Sequence, residues 1–257
     1  MNDEELTRMI EPEVQKMGII QRITSIFVSP GELMRNIKAH PVVWAPLILS
    51  IVIGLASLPI SLQFAEVMQH EINNLLIELY NIDPAAALAA ADEYGAIDEG
   101  TVNAASIVGA GAGVVFLTPL LGFIASLGLW ILSKIAKGAS TLGQMFSMYL
   151  HLYVLMTVGS LIATFLMATT GRLMDMTSLA ALLMPGGNIS MLSFNILTYI
   201  NIFTIWVNVL AFMGIKTINE FSSVKAGVIT GIAFLVGGAF HVITFMGIFI
   251  LMNMMGA

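Results

Sequence analysis

HEINN, residues 70–74, opens like the helix of a zinc protease. That chemistry needs a second imidazole one helical turn after the first, so that both ligate one metal while the glutamate acts as base. Position 74 is Asn, so the pair is incomplete and no metal is expected there. Eight acids lie between residues 66 and 99: Glu66, Glu71, Glu78, Asp83, Asp92, Glu93, Asp98 and Glu99. Calcium takes several oxygen ligands, but this spacing forms no ordered calcium loop, and a solvated acidic surface accounts for it more simply. With no cysteine there is no disulfide framework, thiolate nucleophile or thiolate metal site. Nucleophile-elbow, phosphate-loop and dinucleotide signatures are absent from the chain. No catalytic residue, metal or cofactor is expected, and the chain reads as a non-enzyme.

The remaining polar candidates sit in apolar surroundings. In MYLHLYVL, Tyr149 and Tyr153 are four apart and share a helical face, while His151 points away from both. An ionisable group at membrane depth is a site hypothesis by default. A proton relay also needs acids, and no Asp or Glu falls within the five apolar runs described next. His151 and His241 therefore read as hydrogen-bond partners between helices. Asn201 and Asn208 are seven apart on one helical face and read the same way. The competing reading makes His151, Tyr153, Asn201 and Asn208 the lining of a polar substrate track.

The elements holding these residues are apolar. The chain is 58% hydrophobic and 10% charged, whereas soluble domains carry about a quarter charged residues. Runs near 42–62, 105–133, 145–168, 192–214 and 226–252 each reach the ~20 residues that cross a bilayer as a helix. Helices satisfy their own backbone groups in lipid, and the alternation of a barrel is missing. The eighteen methionines read as apolar filler of these helices. Gly109 with Gly113, and Gly227 with Gly231, have the spacing that allows close helix approach, in a bundle or a dimer. Pro119 should kink the second span, and Pro59 should bend the continuation of the first, where residues 63–80 keep helical spacing. The fold class is thus an all-α integral membrane protein, a bundle of five transmembrane helices with amphipathic interfacial helices at its N-terminus.

Of ten basic residues, Arg8, Lys16, Arg22, Arg35, Lys38, Lys134, Lys137, Lys216 and Lys225 fall on one side of the spans; only Arg172 falls on the other. Basic loops stay in the cytoplasm. Residues 1–40 are then a cytoplasmic segment without a signal peptide. Residues 41–257 form the five-span membrane domain, with an acidic loop at 63–104 and the C-terminus outside the cell membrane. Two stretches before the first span are amphipathic. Ile19, Ile20, Ile23, Ile26 and Phe27 cluster on one face of residues 16–28. In SPGELMRNIKAHP, residues 29–41, Ser29 suits a cap, Pro30 the first turn and Glu32 the capping box. His40 before Pro41 marks the stop. Arg22, Arg35 and Lys38 are expected at anionic head groups, unless these faces pack on the protein's own cytoplasmic ends. Both arrangements stay open.

Three stretches carry a resemblance: SPGELMRNIKAHPVVWAPLIL, KGASTLGQMFSMYLHLYV and TIWVNVLAFMGIKTINEFSSVKA. With Ser29 and Pro30 in the first, and Trp206, Leu210, Gly214, Ser222, Lys225 and Ala226 in the last, the chain resembles the Yip1-domain family of five-span membrane proteins over about residues 24–250. The resemblance implies a cytoplasmic N-terminal segment and offers no catalytic residues. Eukaryotic relatives are linked to vesicle trafficking and small GTPases, and nothing in this tail extends GTPase binding to the chain. The expected role is a membrane adaptor or organiser acting through helix packing and partner binding. The alternative is a permease or an accessory subunit of a transport system. Expected partners are the lipid bilayer and another membrane protein or a second copy, with no nucleic acid.

Overall fold

The computed structural model describes residues 14–63, 104–170, 175–183 and 191–255. The acidic loop, HEINN, Arg8 and Arg172 lie outside them. Nine helices are described: α1 (Ile19–Val28), α2 (Pro30–Ala39), α3 (Trp44–Gln63), α4 (Ala104–Ile135), α5 (Leu142–Thr170), α6 (Leu179–Leu183), α7 (Met191–Tyr199), α8 (Ile202–Asn219) and α9 (Ser223–Met255). Five stretches are long and apolar enough to cross a membrane: Trp44–Ser61, Val108–Ile135, Leu142–Thr170, Ile202–Asn219 and Ser223–Thr244. At about 1.5 Å per residue the shortest spans about 27 Å, close to the hydrocarbon thickness of a bilayer. The protein is an all-α multi-pass membrane protein.

Helix α5 is the hub, packed against α3, α4 and α8, and α8 in turn carries α2 and α9. The buried core sits toward one end. It joins Ile26 of α1, Leu33, Met34 and Ile37 of α2, Met145, Met148 and Leu152 of α5, and Leu210, Ile215 and Ile218 of α8. The loops and helix ends with the eight described basic residues gather at that same end, called here the basic end.

Local chemistry fixes the helix boundaries. Thr141 and Gln144 form a reciprocal cap on α5: Gln144 N donates to Thr141 Oγ1 at 3.2 Å and Thr141 N to Gln144 Oε1 at 2.8 Å. Helix α2 starts with Pro30 at its first turn and ends at His40, whose backbone (φ −134°, ψ 72°) has left the helical region before Pro41. Ser29 occupies the cap position of α2, but its hydroxyl turns to Ser25 Oγ at 3.2 Å and makes no cap bond. The junction with α1 takes that hydroxyl instead.

The fourth span departs from the expected 192–214. The chain breaks between α7 and α8, where Asn201 is extended (φ −126°, ψ 168°) and its side chain accepts from Thr204 N at 2.8 Å. Residues 177–179 satisfy the freed backbone. Leu179 N donates to Ile200 O at 2.9 Å and Ile202 N to Thr177 O at 3.2 Å. A broken helix survives where its open groups find protein partners. The spanning part is therefore Ile202–Asn219.

The two sequence-spaced glycine pairs do not make the close approaches. A side chain at Gly109 or Gly231 would meet nothing within 4 Å, and Gly113 and Gly227 have only ordinary neighbours. Tight contacts fall at other glycines: Gly54 against Val114, Gly138 against Asn219, Gly237 against Tyr199, Gly159, where a Cβ would meet the Phe203 ring at 2.5 Å, and Gly214. Gly159 and Gly214 lie where α5 faces α8.

Candidate functional site

The N-terminal helices put their faces to different uses. Helix α2 turns Leu33, Met34 and Ile37 inward, fully buried against the bundle. Helix α1 keeps much of its apolar stripe on the outside, the membrane-facing arrangement of the two that the sequence left open. Arg22, Ser25 and Ile26 face inward, while Ile20 is 78% and Phe27 55% exposed. Only Ile26 of the clustered isoleucines is buried in the core.

Arg22 is thus not a surface cation. It is 1% exposed. Its Nη2 donates to Asn36 Oδ1 at 2.6 Å and to the His40 carbonyl at 2.8 Å, and its Nε to the Met17 carbonyl at 3.3 Å. All three acceptors are neutral, and Nη1 is buried without a partner. Burial pushes the guanidinium below the usual arginine range, yet arginine stays charged at neutral pH. This charge ties α1 to the end of α2. Asn36, fully buried, extends the network by donating from Nδ2 to the Gln15 carbonyl at 2.7 Å. His40 Nε2 lies 2.8 Å from the Val14 carbonyl. Residues 14–17 are thereby strapped across α1 and α2.

Other polar side chains weld the basic end together. Ser147 of α5 donates to the Val42 carbonyl at 2.8 Å and accepts from Val42 N at 3.0 Å. Gln144 Nε2 donates to the Lys38 carbonyl at 2.7 Å. Asn219, buried at the end of α8, accepts from Ser140 N at 3.2 Å and donates to Ser133 Oγ at 3.4 Å. Gly138 leaves that amide its room, since a Cβ there would collide with Asn219 and with Phe221. Lys38 pairs with Glu220, the sole ion pair among the described residues. The Lys38 hydrogen bond, then its charge, hold the Glu220 carboxyl below the usual range. Asn36, Asn219, Ser147 and Gln144 escaped the sequence reading, although all four lie within the family-like stretches.

The family-motif positions converge here as well. Gly214 has no room for a side chain: a Cβ would collide with the Met148 sulfur and meet the Met34 sulfur at 2.9 Å. Trp206 packs against the same core. Lys225 stands 5.6 Å over the Phe221 ring, and its backbone N donates to Ser222 Oγ at 3.4 Å. Ser29 and Pro30 form the α1–α2 joint. Of the interfacial basic candidates, Arg35 remains exposed and Lys38 is held by Glu220.

The intramembrane polar candidates do not meet one another. His151 is fully buried, and its Nδ1 bonds the Ser147 carbonyl at 2.7 Å within α5. Asn208 Nδ2 donates to the Thr204 carbonyl at 2.8 Å within α8. Asn201 caps α8. Tyr153 stacks on Tyr149, ring centres 6.0 Å apart. His241 lies 5.5 Å from the Tyr199 ring. None of these hydrogen bonds joins two spans, contrary to expectation. At helical spacing the carbonyl one turn back is always within reach, and it wins over a partner on another helix. Two cavities stand out among the described residues. The smaller, about 230 Å³, is lined by Asp175, Asn201, Ser160 and Thr164 above an apolar floor. The larger, about 390 Å³, lies between residues 14–17, α1 and α2. Neither is lined by His151, Tyr153, Asn208 or His241. No His, Asp and Glu group among the described residues is placed to hold a metal ion.

Five apolar crossings, a welded basic end and amphipathic helices laid against it define a multi-pass helical membrane protein. The Yip1 domain family matches residues 24–246. The chain belongs to that family. No match is found among curated proteins or among solved structures.

Proposed function

We propose that the protein is a non-enzymatic membrane organiser of the cell membrane, with its basic end and N-terminus in the cytoplasm and its C-terminus outside. The observation that carries this reading is the inverted packing of α1. A helix that buries its arginine and exposes Ile20 and Phe27 is built to meet an apolar medium on its outer side. Helix α2 beneath it is consumed by packing on α5 and α8, so α1 is held as a fixed ledge along the membrane surface. The distribution of basic residues supports the orientation. A permease is the weaker reading, because the polar residues that would line its route are engaged inside their own helices. The partner is another membrane protein or a second copy of this chain, recognised through the exposed faces of the spans and the ledge. Photoreactive residues placed at Ile20 and at Phe116, which is exposed on α4, test this in native membranes. Discrete protein adducts are expected. Solute flux by the purified protein in proteoliposomes, together with lipid adducts alone, overturns the reading.

A further inference from the structure

We propose that the larger cleft beside α1 binds the headgroup of an aminophospholipid. Its walls carry two cations, Lys16 and Arg35, one carboxylate, Glu32, and two amides, Gln15 and Gln21. Among the described residues these five side chains make no hydrogen bond or ion pair with the protein. Glu32 and Arg35 stand three apart on α2, the spacing at which opposite charges usually pair, and here they do not. The charges are held for something else.

The cleft is also built rather than incidental. Its far wall is residues 14–17, pinned by the Asn36 bond to Gln15, the His40 bond to Val14 and the Met17 N bond to Asn36 Oδ1 at 3.4 Å. Buried Arg22 locks Asn36 from behind. A pinned wall presents its polar groups without a large ordering cost on binding.

The charge pattern selects the ligand class. A phosphodiester held between an ammonium and a guanidinium gains charge-assisted hydrogen bonds from both. A carboxylate in the same cleft opposes a purely anionic ligand and suits a cationic group a few ångströms from the phosphate. Phosphate and ammonium on one short linker are the headgroup of an aminophospholipid. The lipid source, rather than a free phosphoamine, follows from the surroundings. Gln21 on the cleft wall is followed back along α1 by exposed Ile20 and Ile19, so polar head and apolar tail find adjacent surfaces.

This inference rests on the placement of α1 at the membrane surface, and its test separates the two. Full-length protein is purified in mild detergent, and retained lipid is counted by native mass spectrometry with phosphatidylethanolamine, phosphatidylglycerol and inorganic phosphate as probes. The wild-type chain should retain phosphatidylethanolamine in preference to phosphatidylglycerol. K16Q/R35Q should lower both by about tenfold, equivalent to ~1.4 kcal/mol. E32Q should lower phosphatidylethanolamine only and erase the preference. All three side chains are exposed, and an unchanged melting temperature confirms that the variants fold. Wild-type lipid retention in K16Q/R35Q overturns the proposal. So does equal loss of both lipids in E32Q, or phosphate competing as well as the lipid does. Depth measurements on α1 are scored separately: insertion without headgroup preference sinks the cleft, and preference without insertion sinks the ledge.

Discussion

A buried guanidinium with only neutral acceptors is an expensive way to join two helices. Taking a charge out of water costs several kcal/mol, and hydrogen bonds to charged groups return about 1.5–3 kcal/mol each. Arg22 therefore holds its place only while Asn36, His40 and Met17 stay aligned. Arg22→Ala removes the donor from the His40 and Met17 carbonyls and from Asn36 Oδ1 at once. It should loosen α1 from α2 by about 2 kcal/mol, read as faster amide hydrogen exchange over residues 14–28 with α5 and α8 unchanged. Uniform protection there would sink the strap. Gly214 argues the other side of packing. Gly214→Val pushes a branched side chain into the sulfurs of Met34 and Met148. Methionine is adaptable, so the cost should be that of ordinary overpacking, about 1–3 kcal/mol, seen as a lower melting temperature in detergent. An unchanged value would mean that the α2–α8 contact gives freely. Neither residue declares its role in the sequence. Arg22 reads as a surface cation because burial of a charge depends on three partners that spacing alone does not bring together.

Helices α1 and α2 show what periodicity fixes and what it leaves open. A 3.6-residue pattern specifies an apolar stripe; it does not specify whether lipid or protein meets it. Both helices are legible from their sequences, with Pro30 and Pro41 setting the bounds of α2. Their solvents are not, because these are decided by where α5 and α8 place Met148, Leu210 and Ile215. The break before α8 was hidden for the same reason: apolar residues run through 192–214, and only the pairing of residues 177–179 with Ile200 and Ile202 rewards opening the helix. The two N-terminal helices should separate by experiment. Ile20→Ser with Phe27→Ser should leave the melting temperature unchanged and withdraw a fluorophore on α1 from lipid-borne quenchers. Leu33→Ser, in contrast, should unfold the α2–α8 contact. Equal destabilisation by both changes would place the outer face of α1 against protein. At the far end of α2, Lys38 and Glu220 tie it to the α8–α9 turn. A carboxylate whose pKa is depressed by folding adds stability above its unfolded pKa and loses it as pH falls through the lower folded value. The pair is solvent-exposed, so its contribution is at most about 1 kcal/mol. The melting temperature of Glu220→Gln should lie slightly below wild type at pH 7 and meet it on acidification below the ordinary carboxylate range. A gap that persists at low pH would assign the effect to the left-handed turn at Glu220 (φ 59°) instead of its charge.

For the molecule as a whole, an odd number of crossings places the N- and C-termini on opposite sides of the membrane. Five spans were legible in the sequence because length and hydropathy are local properties, and a bilayer demands both of each span separately. Orientation is a property of the ensemble of loops, and here it rests on cations. All eight described basic residues gather at the end bearing α1 and α2, whereas the break at Asn201 and the turn at Asp175–Ser178 lie at the other. The structure adds a reason for the asymmetry beyond insertion. The basic end is tied together by Asn219, Ser147, Gln144 and the Lys38–Glu220 pair, so its loops are fixed to one another and must share a compartment. Since the chain has no cysteine, single cysteines report that compartment without background. Met176→Cys and Ser222→Cys replace exposed residues at opposite ends. On intact cells an impermeant thiol reagent should label position 176 at once and position 222 only after the membrane is opened. Labelling of 222 alone would invert the proposed orientation and place α1 at the opposite face of the membrane. Labelling of both on intact cells would mean two populations. The weld at the basic end would then be a device of folding alone, with no bearing on which side of the membrane it comes to occupy.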